Sequence, residues 1–557
     1  MKPSAWLLAL ALLGACSSPA PPPQPEPASG WQAKSGWKFS KQAVATAHPL
    51  ASEAGALMLS RGGTAVDAAV AAQMVLALVE PQSSGIGGGG FLVLLDGKKV
   101  RTFDGRETAP AAASAQMFSD PSGRPLPRGQ AVGSQQAVGV PGLVPLLWHV
   151  HRQHGRLPWP QLLKPAIDLA ERGFPVGQRL HTLLQDAALA RNPEAARFYL
   201  NAEGKPWPIG HTLRNPALAA ILKGIAQSGP SALLQGTVGD DFLRRLPQSA
   251  MQLSDLRDYR VLERDPICAN WQQWRLCGMG PPASGTLLIG QMLGLMQRHQ
   301  QTTQLAAASE IHLFLESARL GLAERDRWVG DPDFTPAPPG GWSAMLSPEQ
   351  LDALAAKIGP RAAGAQTPAG RESGTTHLSV IDAQGQTVSL TSSVESVFGT
   401  RLLADGGTGL AGGYFLNNQL TDFSSGDGPN RIQGGKRPRS SMSPLIVQER
   451  NSGAVVMSLG APGGSAIPQY VVKVLLATLG SGLSPQAAID LPNVVQFGTV
   501  AAFEKARFSP EVLDALRAKG HRVQELELTS GVQAVQLTRS GLLGGADPRR
   551  EGSVAGE

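Results

Sequence analysis

The chain has 557 residues, of which 42% are hydrophobic and 17% charged, and 49 Lys and Arg against 43 Asp and Glu give a formal net charge of +6. Ordinary apolar content with little net charge excludes a mainly disordered chain, and 65 Gly with 44 Pro exclude a long coiled coil. The cationic residues form no stripe, so nucleic acid is not an expected partner. At about 100–200 residues per domain, the length allows several domains or one large enzyme fold cut in two.

The first 15 residues predict a signal peptide. Lys2 supplies the positive start, and the apolar run over residues 6–13 is far shorter than the ~20 residues that span a bilayer. The next motif, Leu13-Gly-Ala-Cys16, resembles the cleavage box of bacterial lipoproteins, in which the cysteine becomes the lipidated N-terminus. We therefore expect a periplasmic protein anchored by lipid at Cys16, in the outer membrane because serine rather than aspartate follows. The alternative is an ordinary secreted protein.

A proline-rich tether is predicted over residues 16–30. Six of the residues between 19 and 27 are Pro, and such a segment is extended and semi-rigid, so it would hold a body off a membrane. The folded body is expected to begin near residue 31.

The predicted elements along the body start with helices and continue into strands. Residues 50–80 predict two Ala-rich helices broken at residues 61–63, and residues 83–95 predict a Gly-rich turn that enters an apolar strand. Further segments complete the pattern: helices over 139–150, 160–172 and 305–328, an exposed loop over 366–374, mainly strands over 375–459, and helices over 470–479 and 510–519. Helices, then strands, then helices predict a mixed α+β or layered fold.

Cys268 and Cys277 lie nine positions apart, in two short segments that could pair as a hairpin. An oxidising periplasm permits a disulfide between them, and this is the favoured interpretation. Metal ligation is the alternative, but the spacing fits no zinc pattern and no histidine lies near. The cluster His149, His151 and His154 is more typical of a helix end than of a metal site. No metal is expected.

A glycine run at residues 85–90 has the G-x-G-x-x-G spacing of a dinucleotide-binding loop. That function requires a strand before the loop and a helix after it, whereas here the predicted order is reversed. We interpret the run as a close-packed turn and expect no cofactor.

A hairpin predicted over residues 375–395 carries an unusual density of hydroxyl groups. The three-residue loop 383–385 ends in Gly and pairs Asp382 with Gln386, which places Thr375 opposite Ser393. One face then holds only polar side chains, ending in Glu395. This face could simply meet water, or it could carry a hydroxyl nucleophile.

From about residue 44 to residue 552 the chain resembles the gamma-glutamyltranspeptidases, a family of N-terminal nucleophile hydrolases. The resemblance rests on many short stretches in the family's order. They are Ala47-His-Pro-Leu-Ala-Ser52, Gly62-Gly-Thr-Ala-Val-Asp-Ala-Ala69, Gly87-Gly-Gly-Gly-Phe91, Arg106-Glu-Thr-Ala-Pro110, Gly139-Val-Pro-Gly142, Thr375-Thr-His-Leu-Ser379, Asn417-Asn-Gln-Leu-Thr-Asp-Phe-Ser424, Arg437-Pro-Arg-Ser-Ser-Met-Ser-Pro444, Gly460-Ala-Pro-Gly-Gly-Ser465 and Asp547-Pro-Arg-Arg-Glu-Gly552.

The resemblance implies a four-layer αββα sandwich and a proenzyme that cuts its own Gly374–Thr375 bond. A large subunit of residues 31–374 and a small, catalytic subunit of residues 375–557 would then stay together. Cleavage turns the Thr375 amide into an α-amine with a pKa of about 7.7–8.0, which can serve as base for the threonine's own hydroxyl. The hydroxyl would take the acyl group of a γ-glutamyl amide and pass it to water, an amino acid or a dipeptide.

The family's other site residues can be carried over by their motifs. The resemblance implies that the amides of Gly463 and Gly464 form the oxyanion hole, and that Ser393 stands where the family usually has a second Thr. The implied ligands of the substrate are Arg106, Ser440 and Ser441 for its α-carboxylate, and Gln419 and Asp422 for its α-amino group. Glu395 stands where the family commonly has Asn, which could change amine binding or the choice of acyl donor.

The leading hypothesis is a hydrolase and transferase acting on γ-glutamyl amides such as glutathione. One alternative is an amidase of the same fold with another acyl group, as in the cephalosporin acylases, and another is an uncut, non-enzymatic surface lipoprotein. Arg106 together with Asp422 suits an amino-acid zwitterion and favours the leading hypothesis over the acylase. Only residues 425–435 separate Ser424 from Lys436, where some family members carry a longer lid, and this weakly favours hydrolysis or bulkier donors.

Overall fold

The computed structural model describes residues 26–120, 122–364 and 374–557. The predicted signal peptide, Cys16 and all but Gly374 of the loop predicted over residues 366–374 lie outside the described residues. Within the described ranges no helix has both the length and the apolar character needed to cross a bilayer.

The strands occur in every third of the chain and are mostly short. They are β1 Trp37–Phe39, β2 Ala43–Thr46, β3 Gly89–Asp96, β4 Lys99–Gly105, β5 Phe174–Pro175, β6 Thr212–Leu213, β7 Leu262–Arg264, β8 Ile267–Trp271, β9 Trp274–Gly278, β10 Gly374–Ile381, β11 Thr387–Glu395, β12 Leu403–Ala404, β13 Tyr414–Phe415, β14 Leu445–Glu449, β15 Val455–Gly460, β16 Val494–Phe497, β17 Val500–Glu504, β18 Val523–Leu526, β19 Gln533–Thr538, β20 Gly541–Ala546 and β21 Ser553–Gly556.

The helices lie mainly before the β10–β11 hairpin. They are α1 Pro49–Ser60, α2 Ala65–Val79, α3 Arg128–Val132, α4 Leu143–His154, α5 Trp159–Arg172, α6 Gln178–Leu183, α7 Pro193–Tyr199, α8 Pro216–Ser228, α9 Ser231–Leu234, α10 Gly236–Arg244, α11 Leu253–Asp258, α12 Gly285–Arg298, α13 Ala308–Trp328, α14 Pro348–Ala355, α15 Ile467–Leu475, α16 Pro485–Asp490 and α17 Pro510–Ala518.

Two antiparallel sheets pack face to face in the centre of the molecule. The hairpin sheet has the order β21-β2-β10-β11-β3-β4-β7, and the second sheet has the order β1-β20-β19-β15-β14-β9-β8. Strand β10 contacts β15 and β19, and β11 contacts β15. Helices α1, α2 and α4 pack on the hairpin sheet, while α12, α15 and α16 pack on the second sheet. The hairpin therefore lies between β2 and β3, which come from near the start of the chain, and it faces β15 and β19, which come from near its end.

The predicted break between the first two helices is confirmed. Helix α1 ends at Ser60, Gly62 takes a positive φ of 82°, and α2 begins after Thr64. Thr64 and Asp67 form a capping box, because the Thr64 amide donates to Asp67 Oδ2 at 2.8 Å and Thr64 Oγ1 accepts from the Asp67 amide. This cap starts the helix that packs behind the hairpin.

The hairpin has the predicted register, with Thr375 opposite Ser393 and Ile381 opposite Thr387. The alternative in which its polar face meets water is wrong, because every residue of β10 and β11 is buried. Hydroxyls on this face bond to the second sheet instead: Ser389 Oγ accepts from the Leu445 amide at 2.9 Å and donates to the Leu459 carbonyl at 3.2 Å. Ser379 and Ser389 therefore use their hydroxyls for contact between the two sheets.

The glycine run is a close-packed turn, as interpreted from the order of its neighbours. It follows α2 and enters β3, and Asn417 Nδ2 donates to the Gly87 carbonyl at 2.8 Å. A Cβ at Gly87 would lie 2.4 Å from the Phe415 carbonyl oxygen, and one at Gly88 would lie 2.2 Å from that of Ser393. Side chains are excluded here because the backbones of β11 and β13 approach so closely.

Cys268 and Cys277 lie opposite each other on β8 and β9 and form a disulfide, as the sequence predicts. The predicted boundary between tether and body needs correction. Glu26 lies within the proline-rich stretch, yet its side chain is buried in the body. Contact with the body is therefore already made at residue 26 rather than first near residue 31, because this carboxylate has buried cationic partners.

Candidate active site

The centre of the site is a pair of hydroxyls at the start of the hairpin. Thr375 Oγ1 lies 3.1 Å from Ser393 Oγ, and both residues are buried. Ser393 Oγ donates to the Gly374 carbonyl at 2.8 Å and accepts from the Glu395 amide at 3.0 Å. Since the one proton of Ser393 is engaged with that carbonyl, Thr375 must be the donor in the pair. The Thr375 oxygen thus lies beside a peptide bond whose carbonyl already accepts a hydrogen bond.

Gly374, the residue before the predicted nucleophile, occupies an irregular position in the ladder. It pairs with Glu395 rather than with Val394, which the regular register would give, so the ladder shifts between Gly374 and Thr375 and Val394 is the extra residue on β11. A Cβ at Gly374 would lie 2.2 Å from the Ser396 carbonyl oxygen. Only glycine fits the junction without displacing that strand.

Glu395 lies at the end of β11 with a φ of 77°, in the left-handed region. Its amide donates to Ser393 Oγ, and its carboxylate accepts from the Ser396 hydroxyl. Ser396 is held in turn by Asn418, whose Oδ1 accepts from the Ser396 amide at 3.0 Å. The conformation of Glu395 therefore points its backbone amide toward Ser393 Oγ of the hydroxyl pair. A left-handed φ is unfavourable for a residue with a Cβ and persists only where neighbouring contacts hold it.

His377, two residues after Thr375, is a neutral structural residue. Burial lowers the pKa of its imidazole to about 3. Its ring nitrogens bond to the hydroxyls of Thr391 at 2.8 Å and Ser379 at 3.0 Å. It thus fills the sheet interface and is poorly suited to act as an acid or a base near neutral pH.

Three predicted substrate ligands form one bonded cluster. Asp422 Oδ2 accepts from Arg106 Nη2 at 2.5 Å and from Gln419 Nε2 at 2.6 Å. Arg106 also donates through Nε to the Pro438 carbonyl at 3.1 Å, and its side chain is fully buried. A cation and an anion are thus fixed side by side, which complements the two charges of an α-amino acid.

A cavity of about 410 Å³ opens beside this cluster. Asp422, Ser440 and Ser441 line it, whereas Thr375 is buried and does not. Its other walls are the segment after Asp422, the end of α13 and the turn before α15. These walls contribute Arg325, Asp326, Thr421, Phe423, Ser424, Ser425, Gly426, Asp427, Gly428, Pro429, Asn430, Arg439 and Ser465.

Two arginines of this cavity were missed by the sequence reasoning. Arg325 Nη1 donates to Ser441 Oγ at 3.3 Å, and Arg439 Nη2 pairs with Asp326 at 2.9 Å. Ser440 is held close by, since its Oγ accepts from the Met442 amide at 3.1 Å. Arg439 lies within one of the quoted family motifs, and that was the available signal. Arg325 lies in the predicted helix, whose pattern does not say which residue meets a cavity.

Gly463 and Gly464 lie on the turn that leaves β15, the strand packed against β10. Both have positive φ, 125° and 59°, and a Cβ at Gly463 would lie 2.8 Å from the Tyr470 ring. The next residue, Ser465, lines the cavity. The turn thus brings backbone to the border between the cavity and the hairpin. In residues 26–120, 122–364 and 374–557, no group of His, Cys, Asp and Glu is arranged to hold a metal ion.

Comparison with known proteins identifies the family. The model of the gamma-glutamyltranspeptidase family matches residues 51–557. The chain therefore belongs to the gamma-glutamyltranspeptidase family of enzymes, and the resemblance seen in its motifs is confirmed.

Relatives of similar length include both glutathione hydrolases and an acylase. The glutathione hydrolase proenzyme of Bacillus subtilis strain 168 is 32% identical over 92% of this chain and 91% of its own length. That of Escherichia coli K12 is 31% identical over 97% of both chains. The acylase ACY 1 proenzyme of Pseudomonas sp. strain SE83 is 33% identical over 95% of both.

Solved structures share the mixed α and β fold. The cephalosporin acylase of Bacillus halodurans superposes with a TM-score of 0.81 and 24% identity, covering 97% of this chain and 99% of that one. The gamma-glutamyltranspeptidase of Helicobacter pylori has a TM-score of 0.54 and 28% identity, over 59% of this chain and 92% of that one. The fold is therefore the one found in both acylases and transpeptidases.

If the chain cuts itself at the bond predicted from the sequence, replacing Ser393 by alanine should slow cleavage at Gly374–Thr375 by about 100-fold, because the Gly374 carbonyl loses the hydroxyl that polarises it. Ser393→Thr keeps the hydroxyl and should stay within about tenfold of the parent. Both rates are measured by following conversion of purified precursor on a denaturing gel.

Ser392→Ala is the matched control for that measurement. Ser392 is equally buried on the same strand, but its hydroxyl points to the opposite face and bonds to Gln73 Oε1 at 2.9 Å. Equal slowing by Ser392→Ala and Ser393→Ala would mean that general loss of packing, and not the hydroxyl contact, controls the rate.

Proposed function

We propose that the chain is a self-processing gamma-glutamyltransferase and glutathione hydrolase. It would cut itself between Gly374 and Thr375 into a large chain of residues 16–374, in which residues 31–374 are the predicted large subunit after the tether, and a small subunit of residues 375–557. The helix–sheet–sheet–helix packing of α1, α2 and α4, the two sheets, and α12, α15 and α16 would form its four-layer αββα sandwich. The observation that carries the proposal is the Ser393 hydroxyl, which bridges Thr375 Oγ1 and the Gly374 carbonyl.

The proposed self-cleavage follows from these contacts. Thr375 Oγ attacks the Gly374 carbonyl carbon, and its proton passes through Ser393 towards the departing nitrogen. The C–N bond breaks, Gly374 becomes an ester of the Thr375 hydroxyl, and the Thr375 nitrogen becomes an amine. Water then hydrolyses the ester, giving a carboxylate at Gly374 and a free hydroxyl at Thr375. Departure of the segment before Thr375 uncovers a nucleophile that is buried in the uncut chain.

In the proposed turnover, the new α-amine is the base. With a pKa of about 7.7–8.0 it is partly neutral near pH 8 and can take the proton of the Thr375 hydroxyl as that oxygen attacks the substrate amide. The amine of the donor leaves, and water or the amine of an amino acid or dipeptide then attacks the acyl-enzyme. Backbone donors at Gly463 and Gly464 would stabilise the oxyanion in both steps.

The bonded pair of Arg106 and Asp422 favours a γ-glutamyl donor. An α-carboxylate and an α-ammonium on one carbon can each pair with one member of a fixed cation–anion pair, whereas a glutaryl group offers only the carboxylate. The relatives named glutathione hydrolase proenzyme support this donor class. A glutaryl or cephalosporin acylase is the second candidate, since the ACY 1 relative is as similar and Glu395 departs from the family's usual Asn.

We also propose that the mature chain is a lipoprotein of the periplasm, attached to the membrane through Cys16. This proposal is tested by where the protein is found in the cell and not by its activity. The support is the short apolar stretch followed by the lipoprotein-like box at residues 13–16.

Thr375→Ala should abolish self-cleavage, because it removes the hydroxyl proposed to attack the Gly374 carbonyl carbon, while Thr375→Ser should still yield two chains. The test is mass spectrometry of purified protein, in which the parent gives fragments that end at 374 and begin at 375. Thr387→Ala, at the far end of the same hairpin, is the control and should cleave normally. Cleavage of Thr375→Ala at the same bond would remove this residue from the mechanism.

Asp422→Asn should raise the KM for a γ-glutamyl anilide by about tenfold or more, since the α-ammonium loses its charged partner, and should change the KM for a glutaryl anilide much less. Asp427→Asn is the control, because Asp427 lines the same cavity but is exposed and pairs with Arg431. A parent enzyme that prefers the glutaryl anilide would favour the acylase.

Cys16→Ser should move the protein from the membrane fraction to the soluble periplasmic fraction, because no lipid can then be attached. Ser17→Asp should leave it in a membrane fraction but shift it from the outer to the inner membrane. Both are measured by fractionation and immunoblotting. Membrane attachment that survives Cys16→Ser would contradict the lipid anchor.

A further inference from the structure

The N-terminal segment is held to the body by a buried carboxylate. Glu26 is 4% exposed and pairs with two guanidiniums, Arg179 through Nη2 and Arg550 through Nη2 at 2.7 Å. Its Oε2 also accepts from the Thr529 hydroxyl at 2.9 Å. These partners lower the pKa of Glu26, although burial alone would raise it. The carboxylate is therefore charged in the folded protein.

The residues after Glu26 continue the contact along the loop at residues 547–552. The Gln32 amide donates to the Pro548 carbonyl at 2.7 Å, and Lys34 Nζ donates to the carbonyls of Asp547 and Arg550 at 2.9 Å. The Trp31 ring lies 4.9 Å from the Arg549 guanidinium. Residues 26–34 thus form a clasp, the name used below, on a loop near the C-terminal end of the chain.

The same buried charges reach the residue after the nucleophile. Arg179 Nε lies 3.6 Å from Glu80 Oε1, and Glu80 Oε2 accepts from Thr376 Oγ1 at 2.9 Å. Thr376 follows Thr375 directly and lies on the opposite face of β10. Glu80 ends α2, so it ties that helix to the strand that carries the nucleophile.

Glu26 balances this cluster. The carboxyls of Glu26 and Glu80 face the guanidiniums of Arg179 and Arg550, and all four side chains are buried. Burial raises the pKa of Glu80, and the carboxylate of Asp547 also acts on the charge of Arg550. Arg179 donates to Glu26 through Nη2. Its Nε and Nη1 have no hydrogen-bond partner among the described residues. Without Glu26, Arg179 would lose its hydrogen-bonded anion and turn to Glu80, where it would compete with Thr376 for the carboxylate. Removing one partner from a buried ion pair is strongly unfavourable for this reason.

We infer that Glu26 is a positioning residue for the nucleophile strand, acting through Arg179, Glu80 and Thr376, so that the segment assigned to the tether is part of the working enzyme. This inference rests on the proposed function. It implies that a soluble form lacking residues 16–30 is impaired even though it keeps every residue of the cavity and hairpin.

The test compares Glu26→Gln, Glu26→Ala and a chain that begins at residue 31 with the parent. Each should slow cleavage at Gly374–Thr375 by about tenfold or more, and the cut enzyme should lose kcat on a γ-glutamyl anilide with KM changed less than about twofold. Glu26→Asp keeps the charge and should recover part of the loss. Glu53→Gln, an exposed carboxylate on α1, is the control and should match the parent.

The outcomes separate the inference from the proposed function. A parent chain that never cuts itself counts against the proposed function. A parent that cuts, with Glu26 variants that show a lower Tm but parental cleavage rate and kcat below that Tm, overturns the positioning role. If the variants do not fold, hydrogen exchange of the parent still tests the inference. The Gln32 amide should exchange slowly because it donates to the Pro548 carbonyl, and rapid exchange of this amide would overturn the clasp.

Discussion

The arrangement of the site depends on one hydroxyl group with three partners. Ser393 Oγ contacts the Thr375 hydroxyl, the Gly374 carbonyl and the Glu395 amide. Because the group is buried, each contact is costly to lose, and together they fix the directions in which the Ser393 and Thr375 hydroxyls donate. The bulge at Gly374 and the left-handed turn at Glu395 are the backbone irregularities that bring these three partners to one oxygen.

The sheet register could be predicted from the sequence, whereas the surroundings of the polar face could not. A three-residue loop ending in Gly385 sets the pairing, and a single register places Thr375 opposite Ser393. Alternation, however, says only that a face is polar. The hydroxyls of Ser379 and Ser389 face a second sheet whose strands come from residues 37–39, 267–278 and 445–546, so their partners are set by distant parts of the chain. The local sequence pattern of the hairpin therefore does not predict which distant residues these hydroxyls contact.

The same limit applies to charges. Arg106 and Asp422 were predicted through family motifs, and the structure pairs them with each other across more than 300 residues of sequence. Arg325 and Glu26 gave no such signal, since one lies in a regular helix and the other in a proline-rich stretch typical of a linker. Both are buried ionic groups, and burial of a charge is decided by partners that only the fold brings near. Sequence reasoning therefore performs best on strands and caps, and worst on long-range ion pairs.

Holding the two proposed subunits together after cleavage is a separate physical requirement, which the fold meets. β10 is an interior strand: β11 pairs with it from Thr375 onward, and β2 pairs with it from Leu378 onward, so a cut before Thr375 would leave the new N-terminus paired with β11. Buried polar contacts also cross the cut: Arg106 to Asp422, Glu80 to Thr376, and Glu26 to Arg550. Each joins a residue before the junction to one after it. In the proposed mechanism, breaking one peptide bond would therefore free the amine that serves as base, while these contacts would keep Thr375 in the geometry that the uncut chain built.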